Sequence, residues 1–158
     1  MDEASAQAIA GWCYEPPYDV YNLQPDEDVE ETVAYLVDPQ NAFFAIRGQV
    51  GDLEKETLLA FCSFGTDAQV SGGDYSQDAL DIGLGVRPDL TGQGHGLTFV
   101  AAVLDFARRQ FNPAAFRVTI AEFNERARRV WQKAGFQPTQ TFRREYDSRP
   151  FVILMRDA

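Results

Sequence analysis

Cysteine and histidine are nearly missing from this chain of 158 residues, which has two of the first, Cys13 and Cys62, and one of the second, His95. The cysteines stand 49 positions apart and neither belongs to a Cys-x-x-Cys pair. A cysteine–histidine zinc centre takes about four such ligands, so none can be assembled; carboxylates are the only other ligand class, and no metal is expected. Both cysteines lie among apolar residues, which reads as buried free thiols in a reducing cytoplasm. Basic residues are scarce in the first half. Residues 1–80 hold 16 acids and 2 bases, a net of −14, while residues 81–158 hold 8 acids and 12 bases, a net of +4; the whole chain is at −10. Concentrated cations for a nucleic-acid backbone are therefore lacking. Also missing is any apolar run near the ~20 residues of a membrane helix. The first residues, MDEASAQ, are acidic, unlike a secretory or mitochondrial leader. Aromatic residues, in contrast, are plentiful, with 12 Phe, 6 Tyr and 2 Trp, which excludes a disordered chain. The length suits one domain, residues 1–158, with a real core.

Apolar spacing predicts the elements. Ala6, Ile9, Ala10 and Cys13 mark a helix over 4–13. An aromatic and proline-rich loop, Trp12 to Leu23, follows, and Pro16 and Pro17 exclude a helix there. Asp26 is placed to cap a second helix with Val29, Val33 and Leu36 inward, ending before Pro39. Strands are expected at 42–47 and 57–65, joined by a polar turn at 51–56. The next, 79–86, alternates Leu80, Ile82, Leu84 and Val86 against Asp81, Gly83 and Gly85. A glycine-rich turn over 91–96 opens a helix to about Gln110 with Leu97, Val100, Ala101, Leu104 and Ala107 as its stripe. A strand over 115–123 leads to a helix capped by Asn124, with Ala127, Val130, Trp131 and Ala134 on one face and Gly135 as its stop. A hairpin, 139–146 and 151–155, completes a mixed α/β domain with antiparallel meanders around one strand–helix–strand unit.

The turn carries the chemistry. Gly92, Gly94 and Gly96 lie between a strand and a helix N-terminus, where bare backbone can approach a ligand and N–H groups with the helix dipole favour an anion such as phosphate. A P-loop is excluded because Leu97, not Lys, follows Gly96. A dinucleotide fingerprint is excluded because Leu97 stands where its third glycine should be.

Two stretches together resemble the GNAT superfamily of N-acetyltransferases. The first is Val86-Arg-Pro88 followed by Thr91-Gly-Gln-Gly94-His-Gly96, with Thr91 where Arg or Gln is usual. The second is Asn124-Glu-Arg-Ala127-Arg-Arg-Val130-Trp131-Gln-Lys133-Ala-Gly135-Phe136, with Trp131 in place of a tyrosine. The resemblance covers about residues 4–156. It implies a mixed, mostly antiparallel sheet flanked by helices. It also implies a first strand that is short or absent here, leaving a sheet edge that a partner, such as a second copy in a homodimer, could cover.

The resemblance further implies acetyl-CoA as cosubstrate, held where strands 79–86 and 116–123 splay apart. Leu84, Gly85 and Val86 would pair with the pantetheine amides. Thr91, Gly92, Gln93, Gly94, His95 and Gly96 would cradle the pyrophosphate, His95 more as bystander than donor. Asn124 and Ala127 would meet the pantetheine arm. Arg87, Arg126, Arg128 and Arg129 could meet the phosphates, but a solvated helix face is the commoner role for any one of them. The reaction would be acyl transfer to a primary amine of a small molecule or a peptide or protein N-terminus, by direct attack in a ternary complex. Because an amine of pKa ~10.4 is mostly protonated at pH 7, a carboxylate is needed to take its proton. Asp81 and Glu122 are the candidates. In the ribosomal-protein alanine acetyltransferases of this superfamily, a Glu stands five residues before the motif Asn; here that position is Thr119. Trp131 replaces the tyrosine that protonates the leaving thiolate in many relatives, and an indole N–H is no acid near neutral pH. A catalytically impaired CoA-binding module, serving as sensor or interaction partner, is thus the alternative reading, and a different phosphate-ligand binder a third. Trp12, Tyr14, Tyr18 and Tyr21, with Glu15 and Asp19, could wall a pocket for a cationic amine, or the aromatics could simply cover the core. The split of charge suits an anionic donor in the second half and a cationic acceptor in the first.

Overall fold

Helix starts follow the acidic residues. In the computed structural model, which describes residues 1–23, 28–49 and 56–158, the Asp2 carboxylate accepts the Ser5 N–H at 2.8 Å and caps α1 (Glu3–Ala10). Asp28 does the same for α2 (Val29–Val37), accepting from the Glu30 N–H at 2.9 Å. The expected cap Asp26 lies outside the described residues, as does the turn over 51–55. Ala6, Ile9 and Ala10 of α1 pack with Val33 and Leu36 of α2, and Trp12, Phe43, Leu58 and Phe61 close over them. Because α1 ends at Ala10, Cys13 falls beyond its apolar stripe and is exposed, contrary to expectation. Cys62 is buried, and burial pushes its thiol up to about 12.

The chain forms two compact units. The first holds Met1–Ser63 and Leu84–Thr91, the second Phe64–Gly83 and Gly92–Ala158. In the first, β1 (Phe43–Gly48) runs antiparallel to β2 (Thr57–Phe64, its last residue in the second unit), from Phe43 opposite Ser63 to Gly48 opposite Thr57. β3 (Leu80–Val86) contributes its second half to the first unit and its first half to the second. In the second unit, β6 (Pro150–Asp157) lies between β4 (Ala115–Ala121) and β5 (Gln137–Arg143), antiparallel to both. The strand order of this mixed six-stranded sheet is β1-β2-β3-β4-β6-β5. Among the described residues no strand precedes α1, and β1 is an edge strand.

α3 (Gly96–Phe111) buries Phe99, Val100, Val103, Leu104 and Ala107. The stripe is rotated from the one expected: Leu97 and Ala101 are exposed, because Phe99 and Val103 supply more apolar area to the same core. α4 (Glu125–Lys133) ends where Gly135 takes φ +93°, a left-handed conformation that any side chain would strain, and Phe136 then enters the core completely buried. Among the described residues no helix is long and apolar enough to cross a membrane.

Candidate active site

The residues expected to form the site fall in both units: the end of β3 in the first, the glycine turn and the start of α3 in the second. β3 runs parallel to β4 for two residues only, Leu80 opposite Phe116 and Asp81 opposite Arg117. The β4 backbone from Val118 to Ala121 pairs with β6, from Leu154 to Phe151.

Asp81 is at the last paired position and forms a buried ion pair. It is 3% exposed, and Arg117 is 2% exposed. Arg117 Nε donates to Asp81 Oδ1 at 2.6 Å and Nη2 to Oδ2 at 2.8 Å, while Gln69 Nε2 adds a third hydrogen bond to Oδ2 at 2.8 Å. The Arg117 Nη1 reaches the Gln77 carbonyl at 2.9 Å, and its guanidinium lies 4.9 Å from the centre of the Tyr75 ring. The hydrogen bond to Asp81 raises the Arg117 pKa against the opposing effect of burial. Both carboxylate oxygens of Asp81 are thus engaged in a buried ion pair, which gives this residue a structural role in the fold. Arg117, Gln69 and Tyr75 were not singled out from sequence. The one signal was an arginine inside the apolar strand AFRVTIA, since such a residue is buried only with a partner.

The second half of β3 is shaped by aromatic residues. A side chain at Gly85 would place its Cβ 2.2 Å from Cε1 of Phe61, so the glycine there makes room for a ring rather than for a ligand on that face. Tyr14 Oη donates to the Val86 carbonyl at 2.9 Å, and the Arg87 N–H donates to the Leu59 carbonyl at 2.9 Å. The Arg87 guanidinium is held by both oxygens of Asp89, at 2.7 and 3.0 Å, and by the Leu58 carbonyl. A single 3-10 turn over Pro88–Leu90 follows, and the Thr91 hydroxyl closes it on the Pro88 carbonyl at 2.8 Å.

Gly92 and Gly94 then take φ of +76° and +86°, which makes glycine the residue of choice at both. Gly96 is needed for another reason: a Cβ there would lie 2.9 Å from the Val130 side chain, where α4 packs on the start of α3. His95 occupies the N-cap position of α3 but gives it no side-chain hydrogen bond. Among the described residues the N–H groups of Gly94, His95 and Gly96 meet no protein acceptor. These donors, at the positive end of a 16-residue helix, suit an anionic group. Nη1 of Arg126 comes within 3.2 Å of the position a Gly92 Cβ would take, adding a cation beside the turn. Gln93 is exposed between the glycines.

In the second motif the Asn124 Oδ1 accepts the Ala127 N–H at 3.1 Å and caps α4, the role its position at a helix start demands. Glu122 lies just past the end of β4, exposed, its backbone fixed by the Pro150 carbonyl and by Arg128 Nη1. Arg129 pairs with Glu125 along the outer side of α4. Trp131 is 5% exposed, its ring edge-on to Phe136 at 4.9 Å between centres. An indole at that burial fills the core, and its N–H carries no transferable proton at neutral pH. The Thr119 hydroxyl is 3.0 Å from that of Tyr75. Among the described residues no three His, Cys, Asp or Glu side chains gather as metal ligands.

The model of the GNAT acetyltransferase domain matches residues 5–137. No curated protein matches significantly. Among solved structures, a chimera of the spermidine N-acetyltransferase SpeG from Vibrio cholerae with hSSAT superposes with a TM-score of 0.72 at 15% identity, covering 99% of this chain and 92% of the other. A GNAT-family acetyltransferase from Bacillus anthracis gives 0.73 at 13% identity, over 99% and 91%. The yncA protein of Salmonella typhimurium, with its cofactor acetyl-CoA, gives 0.68 at 16%, over 99% and 90%. At these identities the likeness is one of fold.

Proposed function

Because the chain belongs to the GNAT acetyltransferase family, we propose that it carries the acetyl group of acetyl-CoA to a primary amine of a cationic acceptor, by direct attack in a ternary complex. The observation that carries this reading is the glycine turn. Its left-handed Gly92 and Gly94, and the N–H groups of Gly94, His95 and Gly96 that meet no acceptor among the described residues, suit the coenzyme pyrophosphate. Val86 and its neighbours serve the pantetheine amides, and Arg126 supplies a nearby cation. Support for the acceptor class comes from the −14 of residues 1–80 and from the spermidine acetyltransferases that share the fold. An acidic surface concentrates a cation and speeds its encounter, most strongly at low salt.

The chemistry follows from the thioester. The neutral amine attacks the carbonyl carbon, the carbonyl oxygen gains negative charge that a backbone N–H steadies, and the C–S bond breaks to release the CoA thiolate. With Asp81 locked to Arg117, Glu122 is the carboxylate left to take the amine proton, directly or through water. Trp131 supplies no proton, so water protonates the thiolate. A thiol of pKa ~8.5 leaving at pH 7 makes this a modest cost, roughly 2 kcal/mol.

Calorimetry with acetyl-CoA and a thiol-release assay across an amine panel that includes spermidine test the reading. Binding with turnover of a polyamine is expected. Absence of acetyl-CoA binding overturns it, and binding without turnover of any amine favours the impaired module. Glu122→Gln is expected to lower kcat by about 10²-fold, the low end for a general base, with acetyl-CoA affinity kept; an unchanged rate removes Glu122 from the mechanism. Trp131→Tyr is expected to leave kcat within about threefold, whereas general acid catalysis is typically worth about 10²–10⁴-fold. A tenfold gain or more would show that an acid was missing.

A further inference from the structure

The end of β3 is a weak strand by composition. Two of the last four residues, Gly83 and Gly85, are glycines, which leave a strand with more freedom and less to pack. Yet the peptide that links Val86 to Arg87 is held at both of its polar ends. Its carbonyl takes the Tyr14 hydroxyl and its N–H meets the Leu59 carbonyl, both at 2.9 Å. A peptide plane pinned on opposite sides cannot rotate about its flanking bonds without breaking one of the two.

Tyr14 is itself placed by its surroundings. Its own N–H donates to Asn22 Oδ1 at 2.7 Å, closing the proline-rich loop. Next to it, the Trp12 ring lies 6.0 Å from Phe61, the ring that fills the space over Gly85. The loop thus holds Val86 directly, through the Tyr14 hydroxyl, and backs the Phe61 ring that covers Gly85. Burial pushes the Tyr14 hydroxyl up to about 12, so it remains a donor throughout the usual assay range.

We infer that Tyr14 is a positioning residue for coenzyme binding, orienting the Val86 peptide so that the β3 end is already ordered when the pantetheine arm arrives. The inference rests on the reading of Leu84–Val86 as the pantetheine-pairing strand. The physical gain is preorganisation: the entropy of ordering a glycine-containing strand end is spent on folding and not on binding.

The test compares Tyr14→Phe with the wild type in calorimetry, using acetyl-CoA and adenosine 3′,5′-bisphosphate as probes, and in steady-state kinetics. Removing one hydroxyl that holds the site is expected to weaken acetyl-CoA by about three- to tenfold. KM for acetyl-CoA should rise to match, with kcat within twofold and the nucleotide fragment bound as before. Asn22→Ala, which frees the Tyr14 backbone without touching the hydroxyl, should move the same quantities in the same direction by less. Wild type that binds acetyl-CoA while Tyr14→Phe binds it equally well overturns the inference and leaves the acetyltransferase reading standing. Equal weakening of both probes, with a falling Tm, marks Tyr14 as general support and also overturns it. Wild type that binds no acetyl-CoA removes the reading and the inference together.

Discussion

Asp81→Asn is expected to destabilise the protein by about 3–5 kcal/mol, the cost of leaving one member of a buried ion pair without its partner. Arg117 would stay in place at 2% exposure with a neutral amide before it. For a chain of this size that corresponds to a Tm lower by roughly 10 °C, read by calorimetry or by circular dichroism. Replacing both members with apolar residues, Asp81→Leu with Arg117→Met, should recover much of the loss, because no charge is then buried alone. Kinetics separates this role from catalysis. Assayed well below its melting temperature, Asp81→Asn should keep kcat within a few-fold of wild type. A variant that melts like the wild type but loses two orders of magnitude in kcat would restore Asp81 as the base.

Gly94→Val is expected to weaken acetyl-CoA by tenfold or more while costing the fold only about 1–2 kcal/mol. The position has φ +86°, where an L side chain is strained by about that amount and a β-branched one most of all. Nothing lies within 4 Å of the Cβ that would be added, so packing is not the cause. The turn must instead relax, and in relaxing it re-aims the N–H groups of Gly94, His95 and Gly96 that suit the pyrophosphate. A matched control exists. Gly65 also has φ +86° with nothing within 4 Å of its missing Cβ, but it follows β2, away from the glycine turn in sequence. Gly65→Val should lower Tm by a similar amount and leave acetyl-CoA affinity unchanged. Equal affinity of Gly94→Val and wild type would remove the turn from the coenzyme site.

Local signals were legible in the sequence because each rests on a few adjacent residues. The strand–turn–helix from Leu80 to Phe111 is one: alternation, proline, three glycines and a helical stripe declare it, and the structure forms it within a residue or two. Asn124 as cap and Gly135 as stop are others, since both roles depend on backbone geometry at a single helix end. The family followed from the same two stretches. Residue type alone does not give a side chain's partners. Asp81 reads as a base because it is a carboxylate near a presumed centre, and nothing within ten residues of it announces Arg117, 36 positions away. Cys13 matched the α1 stripe by spacing, but the helix stops at Ala10, three residues too early to carry it inward.

Composition, the order of helices and strands, the glycine turn and the acyl-transfer family were therefore settled by short-range pattern, since backbone conformation and hydrophobic periodicity are local properties. Which carboxylate is spoken for, which aromatic is core, and what the glycine at 85 makes room for were settled only by the folded chain. Two of these depend on a partner remote in sequence, Arg117 for Asp81 and Phe61 for Gly85, and the burial of Trp131 against Phe136 depends on the core around them. A side chain's chemistry is defined by what it touches, and for a buried charge the identity of that contact decides whether it can accept a proton at all.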